Sequence, residues 1–153
     1  MVVASPDDLV NAVSRDRRMI GYRVRRQGDG WIELEVVAQR AKIAVLLVVA
    51  WPEVWKDPVL LQPHLVRARS GNYGLIVVGS DEDLEEAKLD TMPADADFTA
   101  VAGPIGMTRL LLTLRSRSEA IAQRLACAGI ELELEQSRHE NDMLISIGRA
   151  LSQ

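Results

Sequence analysis

Few residues in this chain of 153 have the type and spacing that chemistry requires. Asp7 and Asp8 are adjacent carboxylates, a pairing that serves metal binding or acid–base work. They directly follow Ser5-Pro6, where the first turn of a helix favours negative charge, and we read them as that anionic turn. His64 and His139 are the two histidines and stand far apart, which argues against a His-built metal site. No second titratable partner accompanies His64, so it reads as a partly buried helix residue. The single cysteine, Cys127, excludes a disulfide framework and a Cys-built zinc site, and reads as a packed interface residue. Arg15, Arg17, Arg18, Arg23, Arg25 and Arg26 gather in one stretch with only Tyr22 among them as an aromatic. This suits a solvated edge better than a single-strand nucleic-acid surface, which needs stacking platforms. Trp51 and Trp55 flank Pro52 after an apolar run and are read either as a partner or ligand surface or as loop packing. No nucleophile–base pair, P-loop or GxGxxG turn is present, so neither catalysis nor a bound cofactor or metal is expected.

Hydrophobic residues make up 48% of the chain and charged residues 26%, the balance of one globular domain with a sizeable core. Aromatics are only 4%, so that core must be aliphatic. A net charge of -4 gives no global attraction for nucleic acid or an anionic membrane. The longest apolar run, Ile43 to Trp51, is far below the ~20 residues that cross a bilayer. With no basic, apolar leader at Met1, the expected location is cytoplasmic.

The elements that would position these residues alternate. Met1 to Ala4 reads as the end of a strand, and Pro6 to Arg18 as a helix capped by Ser5 with Leu9, Ala12 and Val13 on one face. Tyr22 to Arg25 reads as a short strand, followed by a turn at Gln27-Gly28-Asp29-Gly30. Residues 31–40 fit two patterns: Ile32, Leu34 and Val36 alternate with Glu33 and Glu35 as in a strand, while Trp31, Leu34, Val37, Ala38 and Ala41 share a helical face. Ile43 to Ala50 and Leu75 to Val78 are continuous apolar runs, and with Phe98 to Ala102 they read as strands buried on both faces of a parallel sheet. Between them come helices over Pro58 to Arg69, with Leu60, Leu61, His64 and Leu65 inward, and over Asp81 to Leu89, capped by Ser80 and broken by Pro93. From Met107 the pattern is helical almost to the end.

This order of segments resembles the receiver domain of bacterial two-component response regulators, from Met1 to about Arg115. Val3-Ala4-Ser5-Pro6-Asp7-Asp8-Leu9 is similar to the family's first strand and helix start, and Gly21-Tyr22-Arg23-Val24 to its second strand. Asp29-Gly30 with Leu34 resembles its turn into the second helix, and Ile43 to Pro52 its third strand. Gly103-Pro104-Ile105 resembles its Lys-Pro-Phe. The resemblance implies a flavodoxin-like, doubly wound, five-stranded parallel sheet, a helix over 31–40, and a receiver-like domain over residues 1–116. It also places the family's chemical positions on residues that cannot perform that chemistry. The Mg²⁺-binding acids fall on Val3 and Ala4, the phosphorylated Asp on Val48, the Thr or Ser on Gly79, and the Lys on Gly103. Without carboxylates Mg²⁺ has no anionic ligands, and without the Asp there is no nucleophile. The implied object is a pseudo-receiver that signals without phosphorylation.

Residues 117–153 read as a helical linker leading to an output domain. Leu114, Ser118, Ile121, Leu125, Ala128 and Leu132 keep a 4-3-4-3-4 spacing, the seam of a parallel coiled coil, and Gln136, His139, Met143 and Ile147 continue it with a stutter. Gly129 is its weak point. His139 to Ser152 resembles the connector before sensor or output domains in bacterial signalling proteins. The expected function is a non-enzymatic signal-transduction module acting through a homodimer and a signalling partner or linked output domain. The alternative is a flavodoxin-like sensor binding a small molecule at its strand ends.

Overall fold

A computed structural model describes residues 2–39, 42–69, 71–86, 96–103 and 105–151; from residue 130 onward the helix is described mainly as a backbone course. The elements in chain order are β1 (Val2–Val3), α1 (Pro6–Arg15), β2 (Arg23–Gly28), β3 (Trp31–Ala38), β4 (Ile43–Ala50), α2 (Pro52–Trp55), α3 (Pro58–Ala68), β5 (Tyr73–Gly79), α4 (Asp81–Glu86), β6 (Phe98–Ala102), β7 (Ile105–Gly106) and α5 (Met107–Leu151). No helix among the described residues is long and apolar enough to cross a membrane.

The main sheet has the order β2-β3-β4-β5-β6. It is mixed, which corrects the all-parallel, flavodoxin-like expectation: β2, β3 and β4 form an antiparallel meander, and only β4-β5 and β5-β6 run parallel. The cause lies in residues 29–38. Only Asp29 and Gly30 separate β2 from β3, and Gly30 has φ +78°, a conformation that L side chains resist. Two residues are enough for a hairpin and too few for a crossover helix. The alternation of Ile32, Leu34 and Val36 is therefore a strand's, and the helix implied by the receiver resemblance does not form. β1 does not join the main sheet but pairs antiparallel with β7, Val3 opposite Ile105.

Helices cover both faces. On one, α1 and α5 pack Leu9, Leu110, Leu114 and Ile121 onto Ile32, Leu34, Leu47 and Ile76. On the other, α2 and α3 pack Val54, Trp55, Leu61 and Leu65 onto Val48, Leu75 and Val77. The caps are local: Ser5 Oγ accepts from the Asp8 amide at 3.4 Å, Asp57 Oδ1 from Val59 at 2.9 Å, and Ser80 Oγ from Asp83 at 3.2 Å. α3 covers the expected segment and buries Leu61, His64 and Leu65, but Leu60 faces outward. Residues 87–89 of the expected acidic helix, Pro93 and Pro104 lie outside the described residues.

The division expected at residue 116 falls inside a continuous helix. Ser118, Ile121 and Ala122 are buried, so the domain's core reaches well past that point.

Candidate functional site

The receiver-derived positions do not assemble into a site. Val48 is fully buried near the middle of β4, opposite Glu33 on one side and Leu75 on the other. Val3 is buried in the small β1–β7 ribbon, away from that ladder, and Ala4 is exposed beside it. Gly79 and Gly103 do meet, the Gly103 amide donating to the Gly79 carbonyl at 2.7 Å, but this is a backbone contact at the ends of β5 and β6.

Trp51 and Trp55 are not a partner surface. Both are buried, and Trp55 Nε1 donates to the Val78 carbonyl at 2.9 Å, tying α2 to β5. Their indoles fill opposite faces of the sheet, Trp51 on the α5 side and Trp55 on the α3 side. Asp7 and Asp8 serve local structure: Asp8 accepts from the Ala4 amide and Asp7 from Gln27. Cys127 is exposed on α5. The six arginines do not act as one edge. Arg18 pairs with Asp16 and donates to Thr108, Arg25 pairs with Glu35, and Arg26 turns into a polar cluster beneath α3.

That cluster is the most unusual chemistry in the fold. Glu33 is only 2% exposed, although it alternates with apolar neighbours as a solvent-facing residue would. The partner face of β3 is covered by α3, so its side chain is enclosed rather than solvated. Two cations meet it there. Arg26, its neighbour on β2, donates through Nη2 to Oε1 at 3.0 Å and through Nε to Oε2 at 3.2 Å, a two-pronged grip. Arg67, near the end of α3, donates to Oε1 at 3.2 Å. The guanidinium of Arg67 also lies 5.9 Å from the Tyr73 ring centre. Tyr73 opens β5 and is buried; desolvation, reinforced by the Glu33 charge, pushes its phenol well above the usual range. Its hydroxyl makes no hydrogen bond that satisfies geometry among the described residues, close though Glu33 is. Arg25, Arg26, Glu33, Leu46, Arg67, Asn72 and Tyr73 together line a cleft of about 420 Å³. It lies by the amino end of β5, not at the carboxyl ends of the strands where ligands of parallel sheets are expected. Sequence reading missed this site because Arg26, Glu33, Arg67 and Tyr73 come from four elements; the one available signal was an acid on a strand whose opposite face could also be buried.

His64 borders the same cluster, its ring centre 4.9 Å from that of Trp31. It is buried, its Nδ1 has no partner among the described residues, and burial lowers its pKa below the ordinary 6.5, with the Arg26 charge acting in the same direction and Glu33 opposing. The folded state thus binds this proton more weakly than the unfolded chain. Its contribution to stability is fully present above pH about 6.5 and declines as pH falls through that value toward the depressed folded pKa. In urea unfolding, wild type is expected to lose stability between pH 7.5 and 5.5, and His64→Leu to lose distinctly less. Equal losses would place the pH sensitivity elsewhere.

α5 is the second feature, and it corrects the expected dimer seam. Leu114 and Ile121 are fully buried in the chain's own core, Ser118 is 3% exposed, and Leu125 packs against the same core. Arg124 pairs with Asp97 at 3.2 Å and donates to the Gly71 carbonyl at 3.1 Å, while Arg117 approaches Asp97 at 3.8 Å. These contacts clamp the helix to the start of β6 and to the turn before β5. Ala128 and Gly129 are exposed, and the helix continues without a break to Leu151. The side chain of Leu132 and those of the expected connector from His139 onward lie outside the described residues. Of the six seam residues, Leu114, Ser118, Ile121 and Leu125 serve the domain and Ala128 is open. Comparison with known proteins finds no family model, curated protein or solved structure that this chain matches.

Proposed function

We propose that this chain is a non-enzymatic signal-transduction module that works by protein contacts, with α5 as its output arm. One observation carries the reading: a single helix is both a core element of the domain and a projection from it. Leu110, Leu114, Ile121 and Ala122 are buried, whereas residues 127–129 are exposed and the helix runs on to Leu151. From residue 126 to 151 it extends about 39 Å at 1.5 Å per residue. A lone helix of that length is marginal in water, and the apolar Ile130, Leu132, Leu134, Met143, Leu144 and Ile147 would favour a second helix against it. Parallel pairing is favoured because it holds two sheet domains at one end and two outputs at the other. Light scattering at tens of micromolar should give a dimer for wild type and a monomer for Leu132→Glu/Met143→Glu, with the domain's melting transition retained. A monomeric wild type would reject the reading.

A further inference from the structure

We infer that the outer edge of β6 pairs antiparallel with the same edge of a second copy of this chain, about a two-fold axis at Ala100. β6 ends the order β2-β3-β4-β5-β6, so one side of it has no neighbouring strand among the described residues. The parallel ladder with β5 decides which groups that side presents. The Leu75 amide donates to the Asp97 carbonyl and the Gly103 amide to the Gly79 carbonyl, so Asp97, Thr99, Val101 and Gly103 are the residues whose backbone faces β5. Phe98, Ala100 and Ala102, which alternate with them, turn their N–H and C=O groups outward. Ala100 is exposed, and Phe98 and Ala102 are partly so. The opposite edge of the sheet shows how pairing is prevented. β2 carries the exposed Arg23, Arg25 and Arg26, and its register slips between Val24 and Arg26. Charged side chains and bulges are the usual devices against strand addition. β6 has neither: it reads Phe-Thr-Ala-Val-Ala, and its register with β5 is unbroken. Asp97, just before it, is 8% exposed and turned to Arg117 and Arg124.

The occupant is a second copy because this edge is complementary to itself. About Ala100, an antiparallel partner sets Phe98 opposite Ala102, Thr99 opposite Val101, and Ala100 opposite its own counterpart. The largest side chain of the strand meets one of the smallest, and two β-branched residues meet each other, a favourable cross-strand pair. The outward residues Phe98, Ala100 and Ala102 then fall at the hydrogen-bonded positions of the new ladder, where facing residues exchange both N–H···O bonds. Every outward group of β6 is satisfied in this register. Asp97 falls opposite Gly103, so no like charges face each other across the axis. The contact is isologous, and it joins two five-stranded sheets into one continuous sheet. A strand of five residues offers a small contact, so the pairing is weak at low concentration. It uses no residue of α5 and does not depend on how α5 pairs.

Sedimentation velocity on the whole chain carrying Leu132→Glu/Met143→Glu, which removes pairing through α5, tests the edge alone. Reducing conditions keep the exposed Cys127 from cross-linking. From tens of micromolar to the millimolar range this protein should pass from monomer to dimer. The backbone amides of Phe98, Ala100 and Ala102 should become protected from hydrogen exchange over the same range. Ala100→Pro removes an outward N–H and no bond to β5, and Ala100→Lys sets two ammonium groups against each other at an exposed position. Both should keep the parent's melting transition. Both should weaken the dimer about tenfold or more, since symmetry removes two central hydrogen bonds in the proline variant. Arg25→Gln, on the opposite edge, should change nothing. A protein that stays monomeric throughout, or a dimer that both Ala100 variants leave intact, would overturn the inference. A monomer whose three amides are protected only by an added Thr-Val repeat peptide would give the edge to a foreign strand and equally reject self-pairing.

Discussion

Arg26→Ala/Arg67→Ala is expected to destabilise the domain by about 3–5 kcal/mol, because it leaves Glu33 enclosed at 2% exposure without a cation. The two arginines are themselves half exposed, so the penalty arises from the carboxylate and not from the loss of the guanidiniums. That distinction can be measured. Adding Glu33→Gln to the double variant should recover most of the loss, since a neutral amide is far less costly to bury than a charge. Arg25→Ala provides the contrast: its bridge to Glu35 is 3.5 Å long between side chains 47% and 29% exposed, and its removal should cost less than about 1 kcal/mol. Urea unfolding at pH 7.5 reads all four proteins. A double variant within about 1 kcal/mol of wild type would mean that water reaches Glu33 readily.

Ile121→Glu is expected to prevent folding, and Ile121→Ala to cost about 2–5 kcal/mol. Ile121 is fully buried, and its Cδ1 would lie 2.7 Å from a Cβ added at Gly74, so helix and strand are in close contact there. The neighbouring cations on α5, Arg117 and Arg124, are already turned to Asp97, so a carboxylate at this fully buried position is costly. It therefore reports on folding and not on pairing, although it belongs to the heptad-like series on α5. Circular dichroism and thermal melting should show a cooperative transition at lower temperature for the alanine variant and none for the glutamate variant. A folded Ile121→Glu protein would mean that α5 detaches from the sheet without loss of the domain.

The legible part of this fold was the part with one dominant pattern. The continuous runs Ile43 to Ala50 and Leu75 to Val78 are central strands, buried on both sides, and α1 and α4 begin at their expected Ser5 and Ser80 caps. Failure came where two patterns coincided. Residues 31–38 fit a strand and a helix, and the two-residue Asp29-Gly30 connection, which decides for the hairpin, carried less weight than the receiver-like order of segments. The same segment hid the cleft, since a helix there would not have set Glu33 opposite Arg26. The heptad spacing along α5 failed differently. Apolar residues three and four apart mark a covered helix face but not what covers it, and for Leu114, Ser118 and Ile121 the cover is the chain's own sheet. Trp51 and Trp55 were placed correctly beside Pro52, but their large apolar areas were drawn inward to the core.

Because α5 is anchored at one end and projects at the other, it has the mechanics of a lever. Its fulcrum is the Asp97 clamp with Arg117 and Arg124, and its long limb begins near Ala126. For a straight limb of about 39 Å, a tilt of about 10° at the sheet displaces the tip by about 7 Å, enough to alter whatever follows Leu151. Gly129 sits just beyond the fulcrum, exposed and with no atom within 4 Å of where a Cβ would stand. Glycine has a lower helix propensity than alanine, so it is a joint at which motion can leak away as bending. Replacing it with alanine would stiffen the limb by about 1 kcal/mol of helix propensity, so that more of any movement in the domain arrives at the far end.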